Sequence, residues 1–160
     1  ELTFKYRNPV MLLSDGVIGQ MMEKVELADP IPRRTDEDVV RECPWATTGK
    51  PASRERNIIT SLNLDSAVQE KHNHKLQEKY WNIEETEVRF EEFQCDDAEY
   101  LYVAYGSSAR IAQKAVQIAR AKGIKAGLLR LITLFPFPKT RVAELSGKVK
   151  AMLAVEMSAG

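Results

Sequence analysis

Residues 100–123 read YLYVAYGSSARIAQKAVQIARAKG and decide the fold that we predict for this chain. The first six form an apolar run without polar alternation, which is typical of a strand buried on both faces of a parallel sheet. Gly106 then turns the chain into a helix whose apolar positions recur with a 3.6-residue period. Gly123 ends that helix, because glycine readily adopts the left-handed conformation found just past a helix C-terminus. The stretch predicts a strand, a turn and an amphipathic helix.

Two further apolar runs follow, at residues 128–134 and 151–155. Strands separated by helices of this length need crossover connections, which are right-handed and make the strands parallel. We therefore predict an α/β fold with an open, mainly parallel βαβαβ sheet in which the strand at residues 100–105 is central. Within the first crossover helix, the spacing of Ile111, Ala115 and Ile118 predicts that these side chains form its buried face.

The residues before the sheet divide into three stretches. An apolar run at residues 10–13 leads into Ser14-Asp15-Gly16 and an apolar helical pattern, which predicts a strand, a turn and a helix. Residues 28–57 contain four prolines and no periodic pattern, so we predict a linker or an extended segment. Residues 66–93 predict one long, mostly solvated helix, with Ser66 and Gln69 spaced as a capping box.

Six residues directly follow predicted strands, at the sheet edge where open α/β folds bind ligands. They are Asp15, Gly16, Gly106, Ser107, Ser108 and Glu156. Each also has a purely structural interpretation, because an Asp or Ser at a helix start commonly caps it. A helix N-terminus can bind phosphate, but one glycine stands where the dinucleotide fingerprint has three, and no Walker lysine follows. We treat the six as candidates for the border of a ligand crevice and assign none as catalytic.

Composition excludes several classes of function. The 23 basic and 23 acidic residues balance, so we predict neither nucleic acid nor an anionic membrane as a partner. No apolar run approaches the roughly 20 residues of a membrane helix. Cys43 and Cys95 are isolated, which predicts no iron-sulfur or zinc site in this chain and fits a cytoplasmic protein. His72 and His74 lie on different faces of the predicted helix, so we expect no shared metal.

Three segments carry a family resemblance: NPVMLLSDGVIGQ at residues 8–20, the stretch from residue 105 to residue 138 that ends in LFPFP, and VEMSAG at residues 155–160. They resemble the alpha subunit of the 2-oxoacid:ferredoxin oxidoreductases, most closely the branched-chain, or 2-ketoisovalerate, branch. Residues 57–62 and 74–93 resemble the helical connection between the two domains of that subunit. Two departures stand out, since Leu131 replaces a usual proline and Phe135 a usual tryptophan.

The resemblance implies a fragment of a larger subunit. Residues 1–27 would end a thiamine-diphosphate pyrimidine-side domain, residues 28–98 would be the linker and interdomain helix, and residues 99–160 would be a truncated transketolase C-terminal-like domain. In this family thiamine diphosphate with magnesium and iron-sulfur clusters serve the whole complex. The glutamate that activates the cofactor would lie upstream of Glu1, so we expect the isolated chain to bind no cofactor and to be inactive.

The resemblance also implies partners and leaves two alternatives open. The expected partners are the beta subunit, with gamma and delta subunits as further candidates, and ferredoxin and coenzyme A at the level of the complex. One alternative is a free-standing βαβ module that binds phosphate or a nucleotide at Gly106 to Ser108. The other is an interaction protein that docks a partner through its long charged helix.

Overall fold

The computed structural model describes residues 1–47, 49–50 and 52–157. Their contacts form two compact units, which we call the N-terminal unit (Glu1–Met11 with Met22–Leu76) and the α/β unit (Leu12–Met21 with Gln77–Gly160). The described elements are, in chain order, α1 (Leu2–Tyr6), α2 (Gly16–Gln20), α3 (Asp36–Glu42), α4 (Ser66–Thr86), β1 (Phe90–Phe93), β2 (Tyr100–Tyr105), α5 (Gly106–Ala121), β3 (Ala126–Leu131), α6 (Lys139–Ser146) and β4 (Ala151–Val155).

Among the described residues, the strands form one four-stranded sheet in the order β1-β3-β2-β4. β2 lies in parallel between β3 and β4, so Tyr102 is level with both Leu128 and Leu153. β1 joins the far side of β3 in the antiparallel sense. The predicted α/β fold with an open, mainly parallel sheet and a long preceding helix is confirmed, and so is the central position of the strand at residues 100–105.

The end of the long helix was predicted wrongly. α4 ends at Thr86, and residues 90–93 form β1 instead of a last helical turn. Phe90 packs into the cluster around Leu129, while Phe93 packs into the cluster around Leu128, on the opposite face of the sheet. A helix cannot place the two rings on opposite faces while pairing with β3, so burial of the rings and the ladder to β3 override the helical pattern.

The buried face of α5 also differs from the prediction. Val116 is fully buried and Ala112 nearly so, whereas Ile111 and Ile118 are 66% and 50% exposed. The helix carries two apolar stripes, and its periodicity does not state which one faces the sheet. Packing of Ala112 and Val116 against Leu128 and its neighbours favours this rotation, and Arg120 on the same side of the helix donates hydrogen bonds to the Gln94 carbonyl and the Asp97 carboxylate. The alanine-rich stripe then faces β2 and β3.

Several boundaries need correction. Residues 10–13 form no strand, and Leu12 is almost fully exposed. The strand predicted at residues 128–134 runs from Ala126 to Leu131. The segment predicted as a linker contains α3, whose capping box is formed by Thr35 and Asp38. The capping box predicted at Ser66 is absent from the described hydrogen bonds, because Asp65 caps α4 by accepting the Val68 N–H at 3.0 Å.

Candidate functional site

The carboxyl edge of the sheet brings together the candidate residues of the sequence. β2 and β4 end side by side, because Ala104 pairs with Val155. Gly106 opens α5 directly after β2, and Glu156 directly follows β4. Parallel strands present their carboxyl ends at one edge, which is where ligands meet open α/β sheets. Asp15 reaches this edge as well, through a contact with Ser107.

Asp15 bridges two helix N-termini. Its Oδ1 accepts the Ile18 N–H of α2 at 2.8 Å, and its Oδ2 accepts the Ser107 hydroxyl of α5. The hydrogen bond from Ser107, followed by the one from Ile18, lowers the pKa of the Asp15 carboxyl. Both bonds favour the ionised form, as does the positive end of each helix dipole. The capping role predicted for Asp15 is confirmed by the Ile18 bond, while the Ser107 bond was not anticipated.

Gly106 and Ser108 shape the start of α5. Gly106 has a φ of +53°, and no atom lies near the position that a Cβ would occupy, so the glycine is needed for its backbone conformation and not for space. Ser108 is buried in the first turn of the helix. Gly16 is the first residue of α2 and is exposed.

Glu156 is paired with a residue that the sequence did not single out. The Tyr105 hydroxyl donates a hydrogen bond to the Glu156 carboxylate, and this bond raises the pKa of the Tyr105 phenol. Glu156 Oε1 also accepts the Met157 N–H at 2.8 Å. Tyr105 could have been found from its place, because it is the last strand residue before Gly106 at the ligand edge. Asp15 and Glu156 both belong to the α/β unit.

The residues present do not fit a magnesium diphosphate. Magnesium needs carboxylate or other oxygens that are free to bind it. Both oxygens of Asp15 accept hydrogen bonds from the chain itself, and the Glu156 carboxylate accepts bonds from Tyr105 and Met157. In the part of the chain that the structure describes, no group of three or more His, Cys, Asp or Glu side chains could hold a metal ion.

An iron-sulfur cluster does not fit either, because it needs four cysteine thiolates and the chain has two cysteines. Both are buried and free of disulfide bonds. The Cys95 thiol donates to the Leu128 carbonyl at 3.2 Å, and burial raises the pKa of this thiol.

The sheet order and the strand pairing define an open, mainly parallel α/β domain. Residues 98–160 match the family model described as Pyruvate:ferredoxin oxidoreductase core domain II. A solved structure, the 2-oxoglutarate:ferredoxin oxidoreductase from Magnetococcus marinus with 2-oxoglutarate, coenzyme A and succinyl-CoA bound, has a TM-score of 0.57 to this chain. It covers 68% of this chain and 20% of that one at 18% identity, so it shows the fold.

Sequence identities show which oxidoreductase subunits this chain resembles most among those compared. The chain is 49% identical over its whole length to the ketoisovalerate oxidoreductase subunit VorB of Methanothermobacter thermautotrophicus, and 50% identical to that of Methanothermobacter marburgensis. It is 31% identical to the 2-oxoglutarate synthase subunit KorA of Archaeoglobus fulgidus. The chain is therefore a homologue of ketoisovalerate oxidoreductase subunits. It spans 44% of the length of each VorB relative and 45% of KorA.

No helix in the described ranges is long and apolar enough to cross a bilayer. α4 is long enough, but it carries charged side chains on most of its surface.

Proposed function

We propose that this chain is a portion of the alpha subunit of a ketoisovalerate:ferredoxin oxidoreductase. The reaction would convert a branched-chain 2-oxoacid and coenzyme A to an acyl-CoA and carbon dioxide, with two electrons passed to ferredoxin. The observation that carries the proposal is the identity of 49–50% to ketoisovalerate oxidoreductase subunits over the whole chain, against 30–33% to 2-oxoglutarate synthase subunits.

Within that enzyme we propose a scaffolding and interface role for the chain. Residues 1–27 would complete a pyrimidine-side domain, residues 28–98 would connect it, and residues 99–160 would form a transketolase C-terminal-like domain. The internally bonded Asp15 and Glu156 support this role, because a carboxylate that accepts hydrogen bonds from its own chain positions the backbone. The partners would be the beta subunit, with gamma and delta subunits as further candidates, in the cytoplasm.

The cofactors would be held elsewhere in the complex. Thiamine diphosphate supplies the electron sink for decarboxylation when it is bound, and iron-sulfur clusters carry the electrons onward. The donor sets described above do not fit either group. We expect the isolated chain to bind thiamine diphosphate with magnesium more weakly than about 1 mM, since affinity depends on preorganised contacts. Calorimetry measures this, and micromolar binding would show that a cofactor site lies within the chain.

The free-standing phosphate-binding alternative is disfavoured by one contact. The start of α5, which is the cradle that a phosphate would need, already holds the Asp15 carboxylate.

The proposed specificity for 2-ketoisovalerate is tested on the assembled enzyme. The complete subunit that contains this chain is purified with its partner subunits, and reduction of ferredoxin is followed with coenzyme A and 2-ketoisovalerate, 2-oxoglutarate or pyruvate. We expect kcat/KM for 2-ketoisovalerate to exceed the other two by at least about tenfold, which is the discrimination that hydrophobic pocket contacts commonly provide. A preference for 2-oxoglutarate would contradict the assignment to ketoisovalerate while leaving the class of enzyme in place.

A further inference from the structure

Two short motifs, Ser14-Asp15-Gly16 and Gly106-Ser107-Ser108, meet through the carboxylate of Asp15. We propose that the start of α5 is a receptor for this carboxylate of its own chain, and that the contact fixes residues 12–21 on the α/β unit. We call the arrangement of Asp15, Ile18 and Ser107 the Asp15 clamp. It assigns a role to both motifs that the proposed enzyme function leaves unexplained.

The clamp supplies the cap that α5 otherwise lacks. Tyr105 stands at the N-cap position of α5 and forms no capping bond through its side chain. A helix of this length leaves unpaired N–H groups and a positive dipole end at its start. Asp15, 92 residues away in sequence from Ser107, provides the missing acceptor. The Ser107 hydroxyl donates to Asp15 Oδ2, and the Ser107 N–H is a further donor to this carboxylate.

The same carboxylate also caps the helix on which it sits. Asp15 Oδ1 accepts the Ile18 N–H at 2.8 Å, so one side chain serves the starts of α2 and α5 together. A carboxylate has two oxygens with acceptor sites on each, so both sets of bonds form without competition. Hydrogen bonds to an ionised acceptor are about twice as strong as bonds between neutral groups.

The placement of residues 12–21 supports the clamp independently. These residues share their contacts with the α/β unit, whereas residues 1–11 and 22–76 share theirs with the N-terminal unit. Apolar burial does not explain this placement, because α2 contains no buried residue and Val17 is 61% exposed. A second contact joins Arg110 Nη1 to Met21 Sδ at 3.9 Å, which is weak. The clamp is the strongest described attachment of the segment.

The clamp is tested by hydrogen exchange on the full 160-residue chain. Asp15→Ala removes it, and Asp65→Ala is the matched control, because Asp65 caps α4 alone by accepting the Val68 N–H. We expect Asp15→Ala to speed amide exchange roughly tenfold both in residues 16–21 and in the first turn of α5, as the loss of a charged cap predicts. Asp65→Ala should affect the start of α4. If Asp15→Ala changes α2 and leaves the first turn of α5 as protected as before, the clamp is refuted.

Ser107→Ala provides a second variant, since it removes the hydroxyl and leaves the Ile18 bond in place. We expect faster exchange in residues 16–21 from this change on α5, and unchanged exchange there would contradict the proposal.

A third measurement needs no variant. Inorganic phosphate is titrated into the unaltered chain while the amide signals of Ser107 and Ser108 are followed by NMR. We expect no saturable shift below about 10 mM, because an anion already occupies this helix end. A saturable shift at lower concentrations would show that the start of α5 is an open phosphate site, and would overturn the proposal.

Discussion

The two edges of the sheet are built differently. β1 carries two adjacent glutamates. Glu91 bonds to Arg130 at 2.8 Å, and Glu92 bonds to Arg141 through two bonds of 2.6 and 2.9 Å. β4, with the sequence AMLAV, carries no charge, and its Leu153 is 57% exposed. Charged side chains on an edge strand oppose pairing with a further strand, whereas an uncharged apolar edge strand can pair readily. In the described residues, the β1 edge carries charged side chains and β4 carries none.

The surface beside β4 is apolar as well. A groove of about 420 Å³ borders β4 and β2, and its lining contains aromatic and aliphatic side chains without a charged residue. Ile118 lies on the flank of α5 opposite Arg120, which bonds towards the β1 side. Tyr100, Ile118 and Leu153 are exposed apolar side chains on or near this side of the α/β unit. This is the pattern of a surface that packs against other polypeptide in an assembly.

The largest expected effect is the difference in stability between substitutions on the buried and on the exposed side of α5. Val116→Asp should lower the free energy of unfolding by more than about 4 kcal/mol, because it buries an unpaired charge against β2 and β3. Ile118→Asp should cost less than about 1 kcal/mol, since half of the side chain is already in water. Urea denaturation measures both. Equal losses would mean that both flanks of α5 are buried in solution.

The second prediction concerns the loop that follows β1. A Cβ on Gly127 would lie 2.7 Å from the Gln94 carbonyl oxygen and 2.9 Å from the Ala98 Cβ. Gly127→Ala should therefore push this loop away and cost about 2–3 kcal/mol in unfolding free energy, as overpacking does. Gly147→Ala is the control, because its nearest contact would be an ordinary 3.7 Å. A stable Gly127→Ala protein would show that the loop is not held against β3.

The third prediction tests the charged protection of the β1 edge. The hydrogen bonds from Arg141 hold the pKa of Glu92 below its usual value. A depressed carboxyl pKa contributes stability above the unfolded value of about 4.3, and that stability is lost as the pH falls through the folded pKa. Glu92→Gln should therefore cost about 1 kcal/mol at pH 7 and less at pH 3. Urea midpoints at both pH values measure this.

The control for Glu92 is Glu91→Gln, whose partner Arg130 is half-exposed. It should cost less than about 0.5 kcal/mol, because exposed ion pairs contribute little. A larger loss for Glu91 than for Glu92 would reverse our ranking of the two pairs.

The smallest effect on stability is expected at the β4 edge. Leu153→Lys should change the unfolding free energy by less than about 0.5 kcal/mol, because the side chain is mostly exposed. It should nevertheless reduce concentration-dependent self-association of the isolated chain, since a lysine on an edge strand opposes further pairing. Sedimentation velocity measures this, with Gln117→Lys on the exposed face of α5 as the charge-matched control. Equal self-association of the two variants would show that the β4 edge does not mediate association.

Local patterns in the sequence determined the central part of this fold. The uniformly apolar run at residues 100–105, the helix that follows it and the glycine at 123 are consecutive in the chain, and their geometry depends on neighbours within a few residues. The handedness of crossovers then led to the parallel order of three strands. The cap at Asp15 followed from the same local chemistry.

Tertiary structure alone decided the features that depend on distant residues. β1 is a strand because Phe90 and Phe93 bury their rings on opposite faces beside β3. The rotation of α5 depends on which stripe packs against β2 and β3, so the periodicity of the helix pointed to the wrong stripe. Asp15 meets Ser107 across 92 residues of sequence, and no local pattern encodes that contact. Propensity and periodicity act over a few residues, whereas these three outcomes depend on which surfaces the folded chain brings together.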